Sequence, residues 1–286
     1  MIIVKTFFDT QTSTLTHLVY DSESLDAVVF DPVLDLDEVN WNTHNDSLNV
    51  LDDFIRAHQL KLHYVLDTHI HADHLSGMQY LKQKYKVPLV INSAITVVQE
   101  TFKGVFNLPE SFDISGQDFD VLVKDGDQLQ AGSMRIDVLH TPGHTPACTS
   151  YKISDHVFTG DALFTPDIGT GRCDFPKGSA RDLYHSVTQK LYSLADETKV
   201  YPAHDYPQGR ELQTFTTIGE SKKSNVDLPE NRSESEYVEF MEKRDASLSL
   251  PKLIYPSVQI NLSAGQFPQK ESNGTHYLKI PISEKN

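Results

Sequence analysis

Cysteine occurs only twice in the 286 residues, as Cys148 and Cys173, and tryptophan once. Two thiols are too few for a disulfide framework or a four-cysteine zinc site, so the cysteine count points to a reducing cytoplasm. Basic side chains are also scarce: 25 Lys and Arg stand against 40 Asp and Glu, a net charge of −15. That field repels polyanions and leaves no electrostatic footprint for nucleic acid or an anionic membrane, and any anionic substrate needs a local cation. No apolar run approaches membrane-spanning length. The N-terminal Met1 to Phe8 meets Asp9 too soon for a signal peptide. What remains, with 38% hydrophobic and 23% charged residues, is the balance of a globular protein long enough to bury a core unaided.

Short β-branched runs alternating with helical stretches predict a mixed α/β architecture. Strands are expected at Ile2 to Phe8, Thr16 to Tyr20, Ala27 to Phe30, Tyr64 to Leu66, Leu89 to Ile91, Phe119 to Val123, Met134 to Leu139, Thr149 to Ile153, His156 to Thr159 and Lys199 to Pro202. Helices are expected at Val50 to His58, Leu75 to Tyr85, Ala94 to Phe102 and Ala180 to Leu194. The polar stretch 220–232 reads as a linker. Ser233 and Glu236 have capping-box spacing for a last helix. Beyond Leu250 the chain carries four prolines and reads as a tail wrapped on the main body. The organisation expected is a catalytic domain, 1–219, with a C-terminal extension, 220–286, packed on it.

Histidine is abundant, with 13 residues, and its placement carries the chemistry. Thr68-His69-Ile70-His71-Ala72-Asp73-His74 puts three imidazoles and a carboxylate between a strand and a helix, and such groups ligate zinc and non-haem iron. Three further pieces recur at strand ends: Thr141-Pro142-Gly143-His144-Thr145, Gly160-Asp161 and Ala203-His204-Asp205-Tyr206. A capped helix N-terminus would explain Asp73; it would not explain three histidines. Gly143 and Gly160 read as turn residues, and both cysteines read as small buried apolar groups.

The ordered set H-x-H-x-D-H, Thr-Pro-Gly-His, Gly-Asp and a C-terminal His resembles the metallo-β-lactamase superfamily. The resemblance implies an αββα sandwich of two mixed sheets flanked by helices, with a metal site on loops at one edge. Thr165 to Phe175 and Ala-His-Asp-Tyr resemble the persulfide dioxygenases of that superfamily, in a bacterial branch. Glyoxalase II, a zinc-type dinuclear hydrolase of glutathione thioesters, shares the metal motifs and is the rival resemblance, together with lactone hydrolases.

Carried over position by position, the resemblance implies that His69, His144 and Asp161 hold one Fe(2+) per subunit, as a two-histidine, one-carboxylate triad with open positions. It implies that His71, Asp73, His74 and His204 orient those ligands, or hold a second metal in a zinc hydrolase. Glutathione persulfide and O2 would be the substrates, yielding sulfite and glutathione, and a homodimer is common among look-alikes. Arg172 is expected to pair with a glutathione carboxylate, Asp174 to orient Arg172, and the Tyr206 hydroxyl to lie near the reacting sulfur.

Overall fold

The computed structural model describes residues 1–282 and 284. In chain order its strands are β1 (Ile2–Asp9), β2 (Thr14–Asp21), β3 (Asp26–Phe30), β4 (Val33–Asp37), β5 (Asn42–His44), β6 (Lys61–Leu66), β7 (Leu75–Ser76), β8 (Leu89–Asn92), β9 (Val121–Val123), β10 (Gln128–Ala131), β11 (Met134–His140), β12 (Thr149–Ile153), β13 (His156–Gly160), β14 (Lys199–Pro202) and β15 (Thr216–Thr217). The helices are α1 (Asp46–Ala57), α2 (Met78–Tyr85), α3 (Ile95–Val105), α4 (Ala180–His185), α5 (Ile218–Ser224), α6 (Glu234–Asp245) and α7 (Ile254–Asn261).

Two six-stranded sheets form, in the orders β1-β2-β3-β6-β8-β9 and β10-β11-β12-β13-β14-β15, with a small sheet β5-β4-β7 beside them. Both large sheets are mixed: β3, β6, β8 and β9 run parallel, as do β13 and β14, while the remaining pairs are antiparallel.

The layering follows from the two-residue period of the strands. On β3, Val28 and Phe30 face the second sheet and pack with Val138, Tyr151 and Phe158. Ala27 and Val29 face the other way, against Leu48, Leu51 and Ile55 of α1, Met78 and Leu81 of α2 and Val258 of α7. On the far side, Val157 and Val200 of the second sheet meet Leu183 of α4, Ile218 of α5, and Tyr237 and Met241 of α6. Three apolar layers thus separate helix, sheet, sheet and helix, the αββα sandwich expected.

Several local expectations are corrected. Leu75 and Ser76 do not begin the helix; they pair with Leu34 and Val33, and α2 starts after Gly77. Asp73 therefore caps no helix. The expected helix from Ala180 to Leu194 is α4 followed by a π-helical turn, Ser186–Leu191. The expected linker begins inside a helix: α5 starts at Ile218 and runs to Ser224, because the Thr217 hydroxyl accepts from the Glu220 N–H and Ile218 and Ser221 are buried. The capping box at Ser233 and Glu236 forms, yet α6 is not the last helix. The Pro-rich tail yields α7, which tolerates Pro256 because it lies in the first turn, where an N–H has no intrahelical partner. No helix among the described residues is long and apolar enough to cross a membrane.

Candidate metal centre

The loops leaving the C-terminal ends of β3, β6, β11, β13 and β14 meet at one edge of the sandwich, the usual place for a site in sheets with parallel strands. They deliver Asp31, the histidine-rich loop, His144, Asp161 and His204. Two glycines make the approach. Gly143 (φ 142°) passes so close to the main chain of Leu183 that a Cβ would collide with it, and at Gly160 (φ 54°) a Cβ would strike Thr68.

Ligand atoms of His69, His144 and Asp161 all lie within 4.8 Å of one another. Asp161 Oδ2 stands 3.8 Å from His69 Nε2 and 3.6 Å from His144 Nε2, and Oδ1 stands 3.5 Å from His204 Nε2. His71, Asp73 and His74 form an adjoining group within the same span. His204 Nε2 lies 3.5 Å from Asp73 Oδ2, so it faces both carboxylates.

Each ring has a partner that fixes which nitrogen carries the proton. His69 Nδ1 donates to Thr68 Oγ1 at 3.0 Å, because that hydroxyl is itself turned toward Asp31. His144 Nδ1 donates to the Arg172 carbonyl at 2.6 Å, His204 Nδ1 to the Ser13 carbonyl at 3.1 Å, and His71 Nε2 to Asp31 Oδ1 at 3.0 Å. His74 Nδ1 lies 3.3 Å from Thr14 Oγ1 and 3.2 Å from Asp73 Oδ2. The opposite nitrogens of His69, His71, His74 and His144 are left with free lone pairs, while His204 Nε2 faces the carboxylates of Asp73 and Asp161.

Burial, followed by the neighbouring His71, holds the His69 pKa well below the usual histidine value; burial and His74 do the same for His71. These imidazoles are neutral, the form that ligates a metal. Burial pushes the Asp73 carboxyl up, but His204 and His74 outweigh it and hold the pKa well below the usual range. His204 is the converse: burial lowers it, and Asp73 and Asp161 raise it above its ordinary value.

His71 Nδ1, His74 Nε2 and Asp161 Oδ1 are buried with no hydrogen-bond partner. Orphaned buried acceptors are costly, by about 1–3 kcal/mol each, and cations held by the two adjoining groups would relieve that cost. The donor set therefore fits a metal ion.

The site opens into a cavity of about 640 Å³ whose apolar wall is Phe164, Ile168, Phe175, Leu248, Pro251 and Leu253. Tyr206 stands at its mouth, 44% exposed, its ring stacked on His204 with centroids 5.9 Å apart. Arg172 reaches the same cavity, gripped by both oxygens of Asp174 at 2.6 Å each and by the Ser249 carbonyl at 2.8 Å. The other two cations lining it are also paired: Arg244 with Asp227 and Asp245, and Lys252 with Glu38. Cys148 and Cys173 are both buried, and burial pushes the Cys148 thiol up to about 12.

Sequence reasoning missed the residues that support these donors. Asp31 looked like the end of a strand, yet it holds the Thr68 N–H, the Thr68 hydroxyl and His71 together. Burial pushes its carboxyl up, and burial followed by Asp31 pushes Asp67 up well above the usual range. Asp205, within the Ala-His-Asp-Tyr segment, is fully buried and paired with both terminal nitrogens of Arg210. Asn261, which grips the histidine loop from α7, carried no signal of this role.

Residues 23–207 match the Metallo-beta-lactamase superfamily. Over 283 residues the chain is 41% identical to Glyoxylase B2 of Dictyostelium discoideum, covering 98% of this chain and 97% of that protein. Over 266 residues it is 32% identical to the mitochondrial persulfide dioxygenase ETHE1 of Bos taurus, covering 92% and 89%. The crystal structure of ETHE1 from Myxococcus xanthus superposes with a TM-score of 0.74 at 34% identity, covering 92% of this chain and 100% of that one. With its two mixed sheets, its flanking helices and its histidine-rich loop at their edge, the chain belongs to the metallo-β-lactamase superfamily and is homologous to the ETHE1 persulfide dioxygenases.

Proposed function

We propose that the protein is an iron-dependent persulfide dioxygenase that converts glutathione persulfide, O2 and water into glutathione and sulfite. The observation that carries the reading is the convergence of His69, His144 and Asp161 within 4.8 Å, a two-histidine, one-carboxylate set of the kind that holds ferrous iron with positions to spare. Such an ion, when bound, supplies electrons to O2 and an open position for sulfur. Relatives at 32% and 34% identity named for that activity or protein support the choice.

The chain's own groups do the rest. The neutral His69 presents Nε2 to the centre because Thr68 holds its other nitrogen, and His144 is fixed in the same sense by the Arg172 carbonyl. Phe164, Ile168, Phe175 and Leu253 line the approach with apolar surface and exclude water from the reacting sulfur. Arg172 is held rigid by Asp174 and Ser249 and keeps N–H groups for a substrate carboxylate. Tyr206, its ring stacked on His204, brings a phenolic hydroxyl to the same cavity as a donor for the substrate.

A second reading has its own observation. His71 Nδ1, His74 Nε2 and Asp161 Oδ1 are unpartnered, and with Asp73 and His204 they suit a second ion, as a dinuclear thioester hydrolase requires. The 41% identity to Glyoxylase B2 weighs on the same side. Metal analysis, paired with oxygen uptake on glutathione persulfide and with hydrolysis of S-lactoylglutathione, separates the two. Oxygen uptake by the iron-loaded protein with slow thioester hydrolysis is expected; the reverse pattern overturns the dioxygenase reading.

A further inference from the structure

The histidine-rich loop has an unusual deficit. Among the described residues, none of His69 to His74 makes a main-chain to main-chain hydrogen bond. A loop bearing three buried imidazoles is thus held by side chains. Asp31 grips one end through the Thr68 N–H at 2.7 Å. The other end is gripped from the opposite end of the sequence. Asn261, 1% exposed, accepts from the Ser76 N–H through Oδ1 at 2.8 Å, and its Nδ2 donates to the His71 and His74 carbonyls at 2.9 Å each.

We propose that Asn261 is a positioning residue for the metal centre: its carboxamide fixes the main chain of His71, His74 and Ser76, and so sets how tightly the loop holds its ion. The inference rests on the reading of that loop as a metal site. It also extends the functional unit beyond residues 23–207, where the superfamily match lies, to the far end of the chain. The sequence marks Asn261 only as the first residue of an Asn-Leu-Ser triplet.

The geometry separates this from ordinary packing. Both amide hydrogens of Asn261 are spent, on the carbonyls of two residues whose rings present unpartnered nitrogens to the centre. If the donors are withdrawn, two buried carbonyls lose their partner and the peptide planes that aim His71 and His74 become free to turn. A separate bond, which touches neither the Asn261 carboxamide nor the loop, ties the end of α7 to α3. Gln99 Nε2 donates to the Leu262 carbonyl at 2.9 Å while its Oε1 accepts from the Gly116 N–H, and Val258 and Leu262 pack in the core.

The test uses the full-length chain. Asn261→Asp keeps the acceptor for Ser76 and the volume but replaces the donor facing the two carbonyls by an acceptor. Gln99→Leu is the control, since it loosens the same helix without touching the loop. Dissociation constants for Zn(II) and, anaerobically, Fe(II) are measured by chelator competition beside the melting temperature of the metal-free protein. Asn261→Asp should weaken metal binding about tenfold or more, the range for groups that orient ligands, whereas Gln99→Leu should lower the melting temperature and leave the metal constants unchanged. Wild-type metal affinity in Asn261→Asp, or equal weakening in both variants, overturns the proposal. If Asn261→Asp does not fold, hydrogen exchange at the Ser76 amide of the wild type decides: metal addition should slow it, by reciprocal coupling, and unchanged exchange overturns the proposal. A wild type that binds neither metal refutes instead the reading of the loop as a metal site.

Discussion

Replacing Asp161 by Asn and, separately, His71 by Ala discriminates a one-ion from a two-ion centre by the ratio of the two losses. Asp161 is the carboxylate that faces His69 and His144 at 3.8 and 3.6 Å through one oxygen and His204 at 3.5 Å through the other. A pair of unit charges about 4 Å apart is worth about 4 kcal/mol at an effective dielectric near 20. A dication doubles this, and if solvent entering the neutralised site offsets half, about 4 kcal/mol remains. At 1.4 kcal/mol per factor of ten, that is about a thousandfold in metal affinity. His71, in the one-ion reading, orients neighbours without ligating, so its loss costs about ten- to a hundredfold. The assay is chelator competition on metal-free protein, with circular dichroism to confirm the fold and metal analysis to count ions per chain. Losses equal within a few-fold, in a protein whose wild type takes up two ions, would refute the one-ion centre and with it the dioxygenase reading.

Arg172→Ala should raise KM for glutathione persulfide about tenfold, the worth of a charge-assisted hydrogen bond, with metal content retained because the main-chain carbonyl that holds His144 survives; unchanged kinetics would remove Arg172 from substrate binding. Burial depresses the pKa of His17 to about 4 despite its bond to the Pro202 carbonyl. The unfolded chain therefore takes up a proton that the folded one refuses, and stability is fully present above pH 6.5 and falls by about 3 kcal/mol as the pH drops toward 4. Denaturant titrations of wild type and His17→Gln across that window should show the slope in the first and a flatter limb in the second. Gly160→Ala places a side chain at φ 54° against Thr68, and about 1–2 kcal/mol of left-handed strain plus 1–3 of overpacking should lower stability by about 2–5 kcal/mol; a melting temperature unchanged from wild type would show that Thr68 yields freely. Both thiols should resist a disulfide reagent until the protein unfolds, since each is buried and Cys148 is pushed up to about 12; rapid labelling of the native protein would contradict this.

The sequence made the sheets and the clustering of histidines and aspartates legible and left other elements hidden, for physical reasons that differ. Ala27 to Phe30 and His156 to Thr159 read as strands because each is a short run rich in β-branched and aromatic residues with turn residues beside it, and both are buried on both faces. The two-residue strand β7 is shorter than any period, and only its pairing with Val33 and Leu34 defines it. Helix α7 is buried on nearly every side, including Ser257, Gln259 and Asn261, so it shows no amphipathic stripe, and Pro256 argued against a helix. In α5 the signal was one capping threonine amid polar residues.

The same contrast runs through the metal centre. A donor must be a particular residue type, and ligands placed a few residues apart in one loop leave a pattern that spacing alone betrays. Aiming a donor requires only some partner for the other ring nitrogen, and here His144 and His204 use the main-chain carbonyls of Arg172 and Ser13, which any residue would supply. His71 uses Asp31, 40 positions away, and the loop's main chain depends on Asn261, 185 to 190 positions away. Such partners are invisible until the chain folds. They also decide how the site behaves, because a lone pair turned away from the centre is no ligand even when its histidine is present.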